Sequence, residues 1–352
     1  MARLVINLYK IEHNARLIAD KAREQGIGVF GVGKGLAGRH QVARALLAGG
    51  CIGIGDSRLE NIRAMRNAGI EAEFMLLRLP QISRARETVE LSDISLNSEA
   101  DTLRALSRHA AELGKTHQVL LMVDLGDLRE GVWPDRLREL IEVGMRLPGI
   151  LVRGIGTNLT CYGGVIPDSR NMASLLALAT EAEDMLGYKI EVSGGNSGML
   201  NMLFAGEVPA GITHLRVGEG IILGREALYR QPLPGAFTDT CRLEAEVIEM
   251  QAKPSVPVGA LGQDAFGGYP TFIDRGVRQR AILAIGRQDV SIESLTPLLE
   301  GAIVLGGSSD HLILDVEETT GVKVGDIVSF APGYGAVVAL STSNYVTTVF
   351  ED

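Results

Sequence analysis

Val29-Phe30-Gly31-Val32-Gly33-Lys34 decides how the rest of the chain is read. It is a short apolar run, too short for a helix, with two β-branched valines, and it ends on glycine and lysine; such a run suits a strand buried on both faces. Seven further runs of this kind follow: Ile52–Gly55, Glu73–Leu79, Ile94–Leu96, Val119–Asp124, Val152–Thr157, Lys189–Ser193 and Leu215–Gly218. Between them lie stretches of helical period, among them Leu59–Ala68, Ala100–Leu113, Asp135–Leu147 and Asn171–Leu186. Ser57 with Glu60 and Ser98 with Asp101 have the spacing of capping boxes at two helix starts. Eight strands alternating with helices predict an α/β fold, a TIM-type (β/α)8 barrel.

Beyond about Arg225 the helical spacing stops. Glu244–Gln251, Gln279–Ile285, Ala302–Leu305, His311–Val316, Asp326–Phe330 and Ala336–Leu340 read as short strands broken by glycine and proline turns. The expected organisation is a barrel over residues 9–224 and a C-terminal mainly-β domain over residues 225–352, with residues 1–8 packed alongside the latter. The chain has 352 residues, ample for both.

Bulk composition narrows the partners. Hydrophobic residues make up 46% and charged residues 22%, so a core is affordable, and the net charge of -9 contains no block of one sign. That pattern argues against nucleic acid and an anionic membrane surface and suits small-molecule partners. The opening segment lacks the order of an export signal, and no run reaches the length of a membrane span, so a cytoplasmic location is expected. Cys51, Cys161 and Cys241 are widely spaced without metal-ligand neighbours. Free thiols and no metal are expected.

Enzymes on such barrels carry their chemistry at the carboxyl ends of the strands. Here those ends present Lys34, Asp56-Ser57-Arg58, Arg78, Asn97-Ser98-Glu99, Asp124 with Arg129, Asn158, Ser193 to Gly198, and Arg216 with Gly218-Glu219-Gly220. A lysine after a strand is most often a solvated charge. Lys34, however, follows an apolar run in which desolvation lowers an amine's pKa and makes it nucleophilic. The glycine-rich loops after the seventh and eighth strands lie where barrels of this kind hold phosphate on backbone N–H groups.

These residues together resemble the alanine racemase family of fold-type III pyridoxal-phosphate enzymes, over nearly the whole chain. Ile6-Asn7-Leu8 with Asn14 is similar to the family's opening strand, and Val32-Gly33-Lys34 to its cofactor-lysine segment. The resemblance implies pyridoxal 5'-phosphate held by Lys34 as a Schiff base and contacted by Arg129, Asn158, Ser193, Asn196, Ser197, Arg216, Gly218, Glu219 and Tyr345. Within that set Arg129 would face the phenolic oxygen, Asn158 would stand where a ring-stacking histidine is usual, and Arg216 would face the pyridine nitrogen. Asn196-Ser197 and Tyr345 would serve the phosphate.

The implied activity is racemisation of an amino acid through an adduct with the cofactor, in a homodimer whose β domains close each other's barrel mouths. The segments 55–61, 123–129 and 158–163 look closer to the ornithine or basic amino-acid racemase branch, lysine and arginine being further substrates. Gly38 stands where the family has a tyrosine after its lysine, and Arg287 where it has its second catalytic base. Asp289 and Asp310 are the candidate catalytic groups opposite Lys34, with His311 and Cys161 also chemically suited. Alternatives on the same scaffold are a decarboxylase, a D-amino-acid lyase or aldolase, an alanine or serine racemase, or a non-catalytic cofactor-binding protein.

Overall fold

The computed structural model describes residues 2–352, which form two compact units: Leu8–Thr238, and residues 2–7 with Asp239–Asp352. The larger unit begins with α1 (Leu8–Arg23), which follows β1 (Arg3–Asn7) directly. Its strands and the helix after each are β2 (Gly28–Val32) and α2 (His40–Ala48), β3 (Gly53–Asp56) and α3 (Leu59–Asn67), and β4 (Phe74–Leu76) and α4 (Ala85–Leu91). There follow β5 (Ile94–Asn97) and α5 (Ala100–Glu112), β6 (His117–Met122) and α6 (Leu137–Arg146), and β7 (Ile150–Gly156) and α7 (Ser169–Leu186). The series ends with β8 (Glu191–Ser193) and α8 (Leu200–Ala205), then β9 (His214–Val217) and α9 (Glu219–Leu223).

All eight strands, β2 to β9, pair in parallel and close on themselves, since Phe30 of β2 lies opposite Gly53 of β3 on one side and Arg216 of β9 on the other. Every residue of β3, β4, β5 and β9 is buried, as parallel strands covered by helices require. The barrel is filled by Phe30, Met75, Ile94, Leu96, Leu120 and Met122. It is therefore a packed core whose function must lie at its rim. α1 buries Ile11, Asn14, Ala15, Ile18, Ala19 and Ala22 along one stripe. Asn14 holds the end of the unit, donating to the carbonyls of Ile221 and Phe237 and accepting from the Phe237 N–H.

The second unit is one eight-stranded sheet: β1 with β10 (Cys241–Pro254), β11 (Val277–Leu283), β12 (Leu295–Pro297), β13 (Ile303–Gly307), β14 (Leu312–Asp315), β15 (Ile327–Pro332) and β16 (Thr347–Glu351). β10 is its spine, pairing antiparallel with β1, β11 and β15, while β1 runs parallel to β16.

Three local expectations are corrected. Residues 336–340 lie in α10 (Tyr334–Thr342), not a strand, and bury Ala336, Val337, Leu340 and Ser341, a helical stripe. Neither serine caps its helix: Arg58 and Glu99 are the N-cap residues of α3 and α5, without side-chain caps. A capping box does form at α7, where the Asp168 side chain accepts from the Asn171 N–H and Asn171 Oδ1 accepts from the Asp168 N–H.

Candidate active site

The polar groups of the barrel segregate by end. At the amino ends of the strands Arg153 pairs with Glu73 and, at 2.8 Å, with Glu191, knitting β4, β7 and β8 together. At the carboxyl ends the residues are less completely paired.

Lys34 follows β2 and opens a single turn of 3-10 helix, Lys34–Leu36, whose tight course is held by the Leu36 and Gly38 N–H groups donating to the Gly33 carbonyl. Its ammonium makes no hydrogen bond or ion pair among the described residues. Burial holds its pKa below the ordinary lysine range, partly opposed by Cys161, Asp56 and Glu130, while the charge of Arg129 lowers it further. Desolvation without a partner makes an amine more nucleophilic than a solvated lysine.

Arg216, on β9, is buried. It donates from Nη2 to the Thr157 carbonyl at 2.7 Å and from Nη1 to Ser193 Oγ, so it bridges the ends of β7, β8 and β9. Burial pulls its pKa down to about 10, and Glu130, Arg129 and Cys161 all lie within its field. Lys34 and Arg216 thus share three charged or polar neighbours, which puts them in one site. Arg129 is itself paired with Glu130 at 2.6 Å, and Asp124 Oδ1 accepts from the N–H groups of Gly126 and Leu128, shaping that loop.

The loops after β8 and β9 are tied by Ser197, whose buried Oγ accepts from the Gly218 N–H at 3.4 Å and the Gly220 N–H at 3.1 Å. Asn196 faces the other way. Its amide donates to Asn158 Oδ1 (2.7 Å), the Leu159 carbonyl (2.8 Å) and Cys161 Sγ (3.2 Å), and its Oδ1 accepts from the Gly198 N–H. Asn196 is therefore a staple between two loops, and Asn158 is buried beneath it. Glu219 begins α9 with its carboxylate paired to Arg230.

The remaining candidates belong to the β-sheet unit. Tyr345 is exposed, and its N–H donates to Ser343 Oγ, which in turn donates to Asp289 Oδ1 at 2.6 Å. Asp289 and Tyr345 are thus linked through one serine. Asp310 is exposed and accepts from Ser309 Oγ at 2.9 Å. Arg287 pairs with Glu293 at 2.6 Å and lies 5.3 Å from the centre of the Phe266 ring. Cys161 is exposed, Cys51 and Cys241 are buried, and all three are unpaired thiols. Among the described residues no group of three or more His, Cys, Asp or Glu side chains could hold a metal, and no helix is long and apolar enough to cross a membrane.

Two residues carry chemistry that the sequence left without a role. Asp56 ends β3 fully buried, and Thr157 follows β7 fully buried; Asp56 Oδ2 and Thr157 Oγ1 have no hydrogen-bond partner among the described residues. The available signal was position alone, since both stand at the carboxyl end of a barrel strand.

A closed parallel barrel with a desolvated lysine after its first strand, a buried arginine on its last and a glycine-rich loop beside it has the groups that imine chemistry requires. The family described as alanine racemase, N-terminal domain, matches residues 6–225, and the chain belongs to that family. It is 42% identical over 347 residues to an ornithine racemase of Acetoanaerobium sticklandii, covering 98% of each chain. It is also 42% identical over 350 residues to a lysine racemase of Thermotoga maritima, covering 99% of this chain and 98% of that one. Among solved structures, alanine racemase from Bartonella henselae with covalently bound pyridoxal phosphate has the same fold, at TM-score 0.75 and 19% identity over 99% of both chains.

Proposed function

We propose that this chain is a pyridoxal-phosphate-dependent racemase of a basic amino acid, ornithine or lysine, and that Lys34 carries the cofactor. The observation that carries the reading is Lys34 itself, a desolvated amine without a partner at the barrel rim. Both full-length relatives at 42% identity are racemases of amino acids with a distal ammonium, which supports the substrate class.

The residues present fit the cofactor. The N–H groups of Gly218 and Gly220 are held by one buried oxygen, Ser197 Oγ, which fixes the glycine-rich loops after β8 and β9 where a phosphate would sit. Arg216, buried and fixed by two acceptors, would face the pyridine nitrogen, and Arg129 the phenolic oxygen. When bound, pyridoxal phosphate draws electron density from the α-carbon of an attached amino acid and so acidifies its hydrogen.

The chain's own residues set what happens next. Arg216 donates hydrogen bonds and keeps its protons, so a pyridine nitrogen held opposite it would remain unprotonated and its electron demand moderate. Proton removal and return are then favoured over deeper rearrangement. Lys34 Nζ would take the α-proton from one face of the substrate in one direction and supply a proton to that face in the other, while a second group does the converse on the opposite face. We assign the opposite face to Asp310 or Asp289, the latter less open because Ser343 donates to it. Asn196 and Ser193 act by holding Asn158, Cys161 and Arg216 in place, and Glu219 and Tyr345 by shaping the phosphate side.

We further propose a cytoplasmic homodimer in which the β-sheet unit of one copy serves the barrel of the other. Support comes from residues 255–276 of that unit, where Val258, Leu261, Phe266, Tyr269 and Ile273 are exposed together.

The test is incubation with single enantiomers of ornithine, lysine, arginine, alanine and serine in heavy water. Loss of optical rotation with deuterium at the α-carbon, fastest for ornithine or lysine, is expected. Release of carbon dioxide or an aldehyde in its place overturns the reading. Lys34→Ala is expected to abolish both turnover and the visible absorbance of the lysine-bound cofactor.

A further inference from the structure

Asp56 is held in an unusual way. Its Oδ1 accepts from the Arg58 N–H and from Asn61 Nδ2, both at 2.9 Å, while its Oδ2 is buried without a partner among the described residues. That bare oxygen lies 3.9 Å from the point where a side chain on Gly33 would begin, against the residue that precedes Lys34. The strands agree with this placement, since β2 and β3 are paired with Val32 opposite Gly55.

Asn61, which orients the carboxylate, depends in turn on Gly38. The backbone of Gly38 has φ +60, and a Cβ there would stand 2.4 Å from Asn61 Cβ. The glycine at the position where the family resemblance calls for a tyrosine therefore makes room for the amide that aims Asp56. Gly38, Asn61 and Asp56 form one device around the turn that begins at Lys34.

A buried carboxylate with one oxygen saturated and the other bare is costly unless a cation comes to it. Lys34 is the cation whose charge acts on Asp56, and the other charged or polar groups acting on Lys34 are Cys161, Arg129 and Glu130. Burial pushes the Asp56 carboxyl up to about 6, against the pull of its hydrogen bonds from the N–H of Arg58 and the amide of Asn61.

We propose that Asp56 is the positioning carboxylate of Lys34: it stabilises and steers the ammonium that forms when Nζ accepts the substrate's α-proton. The proton that leaves the α-carbon resides on Nζ with Asp56 ionised beside it and then passes to solvent, while the group on the opposite face supplies a proton to the α-carbon. In the reverse direction the ammonium of Lys34 is the donor. The proposal rests on the reading of Lys34 as the cofactor-bearing base.

The experiment is a pH titration of the visible band of the lysine-bound cofactor in the holoenzyme, alongside kcat and KM profiles, for the wild type, Asp56→Asn and Asn61→Ala. Asn at position 56 keeps an acceptor for Arg58 and Asn61 but loses the charge. The band is expected to persist in D56N, with its protonation midpoint lowered by about 1 unit and kcat lowered about tenfold at little change in KM. N61A, which leaves the carboxylate less stabilised, is expected to move the midpoint the same way by less. Midpoints and pH profiles unchanged in both variants overturn the role of Asp56. A band absent from the wild type, or surviving Lys34→Ala, overturns the reading of Lys34 instead, so the two failures are told apart.

Discussion

Ser197 shows how much can hang on one oxygen. Its hydroxyl is buried and takes two backbone N–H groups from the loop after β9, so the shape of that loop depends on a side chain in the loop before it. Removing the hydroxyl leaves both donors without their acceptor, at a cost of about 1–3 kcal/mol for a buried unsatisfied group. Ser197→Ala is therefore expected to lower the urea midpoint of unfolding and to speed loss of the cofactor on dialysis, read as falling visible absorbance. If the loop is held by other means, both measurements stay at the wild-type values. Lys34 and Arg216 were legible as site residues because Lys34 follows an apolar run and Arg216 interrupts one, where any polar group is conspicuous. Asp56 was visible at its strand end but mute, because a buried oxygen without a partner is a property of three dimensions. The roles of Asn196 and Asp289 were equally hidden: hydrogen bonds to Asn158, 38 residues away, and from Ser343, 54 residues away, leave no local trace.

At the scale of elements, the eight barrel strands could be read in order because each is buried on both faces and so runs apolar without alternation. The errors fall where local pattern is ambiguous. Ala336–Leu340 is a five-residue apolar run, short enough to suit either period, and packing on one side of α10 decided for the helix. The serines at 57 and 98 sit one residue too early, as the N-cap positions fall on Arg58 and Glu99. Just before α3 the N–H of the N-cap residue Arg58 goes to Asp56 Oδ1, a residue of the site, and the helix has no side-chain cap. β16 was missed since only its pairing with β1, across more than three hundred residues, makes Thr347–Glu351 a strand. One seam of the barrel is unusually close: a Cβ on Gly154 of β7 would lie 2.0 Å from the Glu191 carbonyl oxygen of β8. Backbone cannot yield there as a flexible side chain would. Gly154→Ala is expected to cost about 1–3 kcal/mol or more by forcing β7 and β8 apart, measured by chemical denaturation. Because Thr157 follows β7, Ser193 ends β8 and both hold Arg216, the same variant is expected to lose activity beyond its loss of stability.

For the whole molecule, the buried titratable groups set a dependence of stability on pH whose sign can be worked out. His117 is buried at the start of β6 against Ser95 Oγ at 2.8 Å, and burial pushes its pKa from 6.5 down to about 4. His214, buried at the start of β9, is pushed from 6.5 to about 3, again mainly by burial. Both are neutral in the folded chain while the unfolded chain takes up protons below 6.5, so their contribution is present above that pH and is lost as pH falls toward 4 and 3. Asp56 works the other way. Its carboxyl is raised from 3.8 to about 6, so the folded state binds its proton first and gains stability as pH falls through that window. Two histidines outweigh one carboxyl, and the net loss for these three groups between neutral pH and the acid end is on the order of 5 kcal/mol. Urea unfolding is therefore expected to show stability level above pH 6.5 as far as these groups are concerned and falling steeply below it. His117→Gln isolates one part of this: the variant is expected to be less stable than the wild type at neutral pH, through a perturbed bond to Ser95, with the gap narrowing as the pH drops. A gap that stays constant on acidification would mean that His117 is protonated in the fold, contrary to its burial in the barrel wall.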